Sequence, residues 1–339
     1  MESGHQRHNG RPEVVVVTGS SAGVGRAIAR EFGKHAACVG LLARGEDGLH
    51  AAKEEIERHG GRAIVIPTDV SDHDAVEAAA EEVEVTFGPI DVWVNNAMTT
   101  IFAPFHKISP DDYRRATEVT YFGYVWGTMA ALRRMRPRNR GTIVQVASAL
   151  AYRAIPLQSP YCGAKHAIRG FTDSIRSELM HDGIDVHLTA VNLPAVNTPQ
   201  FDWCKSKMPN RAQPVPPIFQ PEVIAEAVYF AAHARRREFT VGWPALKAIW
   251  GNKFVPGFAD WYLAKTGYDG QQTDEPADDE RPSNLYEPVD GDHGAHGRFD
   301  ARASGISIQS RLNMHRGLVA AGVVTGLALT GLLATRNGR

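Results

Sequence analysis

The chain has 339 residues, 43% hydrophobic and 22% charged, a globular composition with more length than a single core ordinarily uses. One large domain with extensions is therefore expected, rather than two equal domains. With 37 basic against 38 acidic residues, a net charge of -1 and no basic stripe, the chain lacks the electrostatic footprint that a phosphate backbone requires, which excludes nucleic acid as the expected partner.

Residues 1–12 carry charge but no apolar run, so they are expected to be disordered and not to be a secretory signal. Cys38, Cys162 and Cys204 are spread through apolar surroundings with neither metal-type spacing nor a disulfide framework. A reducing, cytoplasmic catalytic part with no bound metal is expected.

From residue 13 onward strand and helix signals alternate. The β-branched run Val14 to Val17 predicts a strand and Val24 to Phe32 a helix, and the pair recurs at Cys38 to Leu42 with Asp47 to His59, then at Ala63 to Ile66 with Asp72 to Phe87. Ile90 to Val94 predicts a fourth strand, about Asp111 to Met135 a long helix, and Thr142 to Ala147 a fifth strand. Tyr161 to His181 (helix), Val186 to Val191 (strand), Pro221 to Ala234 (helix) and Phe239 to Val241 (strand) complete the series. Strands apolar on both faces and separated by helices mean a parallel sheet covered on both sides. The expected architecture is a doubly wound α/β domain over residues 13–267, with its ligand crevice at the carboxyl ends of the strands.

Within that domain, residues 199–221 form an aromatic and proline-rich stretch with Trp203, Met208, Pro214, Pro216, Pro217 and Phe219. A loop of that length in a compact domain is expected to be a functional lid, here over an apolar substrate. Trp243 to Ala264 predicts further apolar helix that lines the pocket or closes a dimer interface. Residues 268–311 then turn acidic, with ten Asp or Glu residues among Gly, Pro and Gln, and are expected to be a disordered linker. Residues 317–335 run nineteen positions without a charge, with Arg311, His315 and Arg316 before them and Arg336 and Arg339 after. That run narrowly meets the length for a transmembrane helix and is expected to span or lie on a membrane.

Chemistry-bearing residues sit in register with these elements. Thr18-Gly19-Ser20-Ser21-Ala22-Gly23-Val24-Gly25 directly follows the first strand; its glycines allow a tight turn and bring backbone N–H groups and a helix N-terminus to a pyrophosphate. The second strand ends Leu42-Ala43-Arg44, where a carboxylate would receive a ribose 2′-hydroxyl. Ala43 cannot do so, whereas Arg44 can meet a 2′-phosphate, which favours NADP(H) over NAD(H). Asp69 follows the third strand, at the place of an acceptor for the adenine amino group, and Asn95-Asn96-Ala97 follows the fourth, on the cofactor's ribose side. Tyr161 and Lys165 are four apart at a helix start, so phenol and ammonium share a face. A nearby cation lowers a phenol's pKa and makes it a general acid or base for a carbonyl/alcohol pair. Ser148, at the end of the fifth strand, can polarise the same oxygen.

Together these segments resemble the short-chain dehydrogenase/reductase superfamily in its NADP-preferring branch, over roughly Pro12 to Gly242. The resemblance implies a Rossmann-like domain that transfers hydride between NADP(H) and a small, lipophilic carbonyl or alcohol substrate, usually as a homo-oligomer. It implies Tyr161 as proton donor or acceptor, Lys165 as the group that lowers its pKa and holds the nicotinamide ribose, and Ser148 as the group that orients the carbonyl. From Pro194-Ala195-Val196-Asn197-Thr198 it implies Val196 facing the nicotinamide ring and Thr198 on its carboxamide. The chain departs from the family at Met98 and Ala195, each in place of a glycine, and at Thr120, in place of an active-site asparagine. Thr120 has a hydroxyl but no amide, so the proton relay from the lysine would be held differently. The remaining readings are a non-catalytic NADP-binding sensor or scaffold, and an epimerase or dehydratase on the same fold.

Overall fold

The computed structural model describes residues 10–278 and 281–317. Seven strands, β1 (Val14–Thr18), β2 (Cys38–Ala43), β3 (Arg62–Pro67), β4 (Val92–Asn95), β5 (Gly141–Ser148), β6 (Val186–Leu193) and β7 (Glu238–Thr240), form one sheet. Every neighbouring pair is parallel, in the order β7-β6-β5-β4-β1-β2-β3.

The valines of β1 show how the sequence builds two cores. Val15 and Val17 face one side, where they meet helices α1 (Gly23–Lys34) and α2 (Glu46–Arg58). Val14 and Val16 face the other, against α3 (His73–Phe87). Helix α3 starts where Asp72 accepts hydrogen bonds from the N–H groups of Asp74 and Ala75, the usual work of an N-cap. The order reverses between β1 and β4, and that switch point opens the crevice at the carboxyl ends of the strands.

The long helix predicted from about Asp111 is interrupted. It consists of α4 (Pro110–Thr117), a π-turn at Glu118–Phe122 and α5 (Gly123–Arg138). Past β5 come α6 (Ser159–His181), the short α7 (Gln200–Trp203), α8 (Pro221–His233) between β6 and β7, α9 (Gly242–Phe254) and α10 (Pro256–Thr266). The apolar helix predicted over Trp243 to Ala264 is thus two helices, parted at Val255-Pro256 where the proline stops the first.

The acidic stretch 268–311, expected to be a disordered linker, is instead folded against the domain. Gln272–Pro276 pairs antiparallel with Asn210–Ala212, Ala303–Ser304 pairs parallel with Ile218–Phe219, and α11 (Ile308–Met314) follows. Two causes override the local composition. Sparse apolar side chains, Leu285, Ala295 and Phe299, are buried in the domain's apolar clusters. The carboxylates also find tertiary partners: Asp292 pairs with Arg26, Glu275 with Arg211 and Arg298, and Asp300 accepts from Asn197. Of the N-terminal residues expected to be disordered, 1–9 lie outside the described residues, and Arg11 is held by two hydrogen bonds to Asp91 at 2.8 and 2.9 Å. The apolar run 317–335 lies outside them too, apart from Gly317; among the described residues no helix is long and apolar enough to cross a membrane.

If 268–311 is part of the fold, Phe299→Ala should cost about 3 kcal/mol by cavity formation, because its ring is buried against Phe201. Denaturant unfolding measures that loss, and limited proteolysis should cut the variant faster within this stretch. A tethered, unpacked segment would show neither change.

Candidate active site

The glycine turn is fixed by steric fit. Gly19 has φ +67° and Gly23 φ +58°, backbone that side chains rarely adopt. A Cβ on Gly25 would lie 2.0 Å from the Gly19 carbonyl oxygen and 2.5 Å from Asn96 Nδ2. Asn96 grips the turn from the end of β4, its amide donating to the carbonyls of Thr18 at 2.9 Å and Gly19 at 3.2 Å. The Thr18 hydroxyl accepts from the N–H groups of Asn96 and Ala97. Ser21, Gly23, Val24 and Gly25 line a cavity of about 620 Å³, as do Gly19, Asn96 and Ala97. Ser20 does not: it is fully buried, with its hydroxyl directed at the Leu42 carbonyl.

Arg44 and Asp69 lie on the same cavity, each with partners. Arg44 donates one terminal nitrogen to the carbonyl of Asn284 and the other to that of Tyr286, both at 2.5 Å. Burial pulls its pKa down from the ordinary arginine value. Asp69 accepts from the N–H and hydroxyl of Ser71 and pairs with Arg115. Burial alone would raise its pKa, but the hydrogen bonds from Arg115 and Ser71 outweigh it and hold the carboxyl below its ordinary range. The folded acidic stretch adds Asn284, Pro288, Gly291 and His293 to the lining, and the Gly294 carbonyl accepts from the Gly23 N–H at 3.0 Å.

Ser148, Tyr161 and Lys165 converge. Ser148 ends β5, and one turn of α6 separates Tyr161 from Lys165. The Lys165 ammonium is 2% exposed and donates at 2.8 Å to both the Tyr124 hydroxyl and the Val146 carbonyl. It also lies 5.5 Å from the Tyr161 ring centroid. Burial lowers its pKa to about 7. Burial likewise pushes the Tyr161 phenol well up, partly offset by a hydrogen bond with Ser148. The pull of the lysine on the phenol, expected from the sequence, is not what sets the phenol here: burial dominates, and Ser148 supplies the offset.

Thr120 is fully buried and does not line the cavity. Its hydroxyl donates to the Thr99 carbonyl at 2.8 Å and accepts from the Thr99 N–H at 3.0 Å. One oxygen thus does the bridging that an amide would do with two atoms. Its neighbour Val119, in the same π-turn, lines the cavity.

Val196 and Thr198 also line the cavity, with Phe201, Trp203 and Pro214 to Pro216 of the expected lid, together with Pro244, Ala248, Tyr262 and Leu263 of α9 and α10. Sequence reasoning missed Arg115 and Tyr124, both single polar side chains in helical pattern that carried no motif. It also missed every site residue beyond 268, because composition marked that stretch as unfolded. A buried phenol, a serine and an ammonium beside one elongate cavity can exchange a proton with a bound carbonyl or alcohol oxygen.

A family model described as short chain dehydrogenase matches residues 13–207. The "Uncharacterized oxidoreductase YxnA" of Bacillus subtilis is 31% identical over 287 residues, covering 84% of this chain and 80% of that protein. A 3-dehydrosphinganine reductase of Danio rerio is 31% identical over 63% of this chain and 66% of its own. A fatty acyl-CoA reductase of Acinetobacter baylyi is 26% identical over 72% and 80%.

The depressed Lys165 pKa has a sign that stability measurements can check. Between about 7 in the folded state and about 10.4 unfolded, the unfolded chain binds more protons at this residue, so its contribution to stability rises with pH through that window. Lys165→Met removes the effect. The wild-type unfolding free energy, measured relative to the variant, should grow by about 2 kcal/mol between about pH 7 and about pH 9, followed by denaturant titration. A flat difference would mean that the lysine keeps its ordinary pKa.

Proposed function

The chain belongs to the short-chain dehydrogenase family, and on that premise we propose that it transfers hydride between NADP(H) and the carbonyl or alcohol carbon of a lipophilic substrate. The observation that carries this reading is one cavity lined both by Ser148, Tyr161 and Lys165 and by the glycine turn and Arg44.

The residues present fit a dinucleotide. No Cβ intrudes at Gly19, Gly23 or Gly25, so main-chain N–H groups at the start of α1 can receive a pyrophosphate. Arg44 suits a 2′-phosphate, and Ala43 offers no carboxylate for a 2′-hydroxyl, so NADP(H) is favoured and NAD(H) is the weaker alternative. In the folded chain the carbonyls of Asn284, Tyr286 and Gly294 occupy the donors of Arg44 and Gly23, and phosphate oxygens would take their place. Asn96 and Ala97 would stand beside the ribose, Asp69 near the adenine, and Val196 and Thr198 at the nicotinamide.

Bound NADPH would supply a hydride to the substrate carbonyl carbon. Tyr161 would donate its phenolic proton to the carbonyl oxygen as that oxygen takes up negative charge, and Ser148 would hydrogen-bond the same atom. Charged Lys165 would stabilise the phenolate left behind. In the alcohol-to-carbonyl direction the same phenolate accepts the proton. The cavity lining includes Phe201, Trp203, Val215, Pro216 and Leu263, surfaces that match an apolar chain more than a sugar. Two relatives are named for 3-dehydrosphinganine and for fatty acyl-CoA, which supports a lipid-like carbonyl.

Tyr161→Phe should lower kcat by about a thousandfold while leaving NADPH binding, measured by nicotinamide fluorescence, nearly unchanged; undiminished turnover would overturn the mechanism. Arg44→Asp should raise KM for NADPH at least about tenfold and alter KM for NADH little. Equal effects on both cofactors would remove the case for NADP(H).

A further inference from the structure

Helices α9 and α10 have an outward face that nothing among the described residues covers. Helix α9 buries only Gly242 and Ala245, and α10 buries none of its eleven residues. Trp243, Trp250, Phe254, Phe258, Trp261 and Tyr262 are each between 51% and 70% exposed. Five of the rings meet within their own helix: Trp250 stacks on Phe254 at 5.8 Å, and Phe258 lies 5.7 Å from Trp261 and 6.4 Å from Tyr262. A monomer surface rarely leaves so much aromatic area together in water.

Lys247, Lys253 and Lys265 are exposed on the same two helices. Their one acid, Asp260, is paired with Arg153 at 2.6 Å. Helix α11 adjoins α9, with Gln309 accepting from the Gly242 N–H at 2.6 Å, and leaves Ile308 and Leu312 exposed. The sequence beyond it, residues 318–335, carries no charge.

We propose that the α9–α10 face docks on the surface of a bilayer that contains anionic lipid. Tryptophan and tyrosine rings are favoured at headgroup depth, one edge apolar and the other hydrogen-bonding, and interleaved lysines are drawn to lipid phosphate. Charge selects lipid over a second copy of the chain. A twofold contact through this face would set lysines against lysines with one already paired acid to offset them, and lysine is depleted from protein interface cores. The run 317–335, as an alternative cover, has no carboxylate to receive them. Pro244, Ala248, Tyr262 and Leu263 of the same helices line the cavity, so docking brings that part of the cavity to the bilayer. Docking is independent of the hydride chemistry; only the entry route of the substrate rests on the function proposed above.

The test uses the full chain with vesicles of phosphatidylcholine, with and without phosphatidylserine, read by flotation and by quenching of tryptophan emission with brominated acyl chains. Binding should require phosphatidylserine and quench the emission. Combined Trp250→Ser, Phe254→Ser, Phe258→Ser and Trp261→Ser should weaken binding at least about tenfold, whereas Phe105→Ser, also exposed but on another surface, should not. Combined Lys247→Glu, Lys253→Glu and Lys265→Glu, at exposed positions that leave folding intact, should remove the phosphatidylserine dependence. Equal flotation of wild type and both combined variants would overturn the proposal and assign binding to another segment. Absence of vesicle binding, with a wild-type dimer that the serine variant converts to monomer in light scattering, would overturn it in favour of self-association.

Discussion

The architecture of the site depends on keeping one ammonium out of water. Lys165 is 2% exposed and its hydrogen-bond partners are neutral, a phenol and a carbonyl. Burying a charge without a counter-charge is costly, and the lowered pKa is that cost expressed as proton affinity. What offsets it is geometry. The Tyr124 hydroxyl donates to the Val146 carbonyl at 2.8 Å and accepts from Lys165, so α5, β5 and α6 meet at one three-way contact. Burial holds Tyr124 well above its ordinary pKa, which keeps it a neutral donor. Nothing in this arrangement uses the third ammonium hydrogen, and the Tyr161 ring lies on the cavity side of the same lysine. An anion formed at that phenol would give Lys165 the counter-charge it lacks, so proton loss from the tyrosine and full protonation of the lysine favour each other.

The same economy governs the glycine turn and Arg44. Donors that would recognise an anion cannot be left bare in a folded protein, and here the chain supplies its own acceptors. The Gly294 carbonyl caps the Gly23 N–H, and carbonyls of Asn284 and Tyr286 hold Arg44. Arg26 and Arg115, on α1 and α4, tie the same segment down through Asp292 and the Leu285 carbonyl. The acidic stretch is therefore a wall of the crevice, with acceptors spaced along basic groups of the domain.

The alternation of strands and helices in a parallel sheet, and the shared face of Tyr161 and Lys165, were legible because each depends on local signals that the fold cannot override. Four consecutive valines have no stable place except a strand buried on both faces. Gly25 admits no side chain where the chain packs back on itself, and a tyrosine and lysine one turn apart must share a helix face. Stretch 268–311 was misread for the converse reason. Its order comes from Leu285, Phe299 and paired carboxylates, whose partners lie from about twenty to more than two hundred and fifty residues away in sequence, and composition averaged over a window cannot register contacts of that range. Thr120 and Tyr124 are an intermediate case. The missing asparagine was visible, but that a threonine hydroxyl could bridge both polar groups of Thr99, and that a tyrosine one turn on would hold the lysine, needed coordinates.

Helices α9 and α10 show where apolar pattern stops being informative. A helix apolar all round reads the same whether it is buried in protein or set against lipid, and the sequence from Trp243 to Ala264 satisfies both. In the fold the two faces separate: Ala245, Ala248 and Leu263 turn inward to the cavity, while Trp250, Phe254, Phe258 and Trp261 turn out. Tyr262 reaches both, lining the cavity while half exposed. That is the pattern expected if one helix pair has to satisfy a bound apolar chain on one side and an interface on the other.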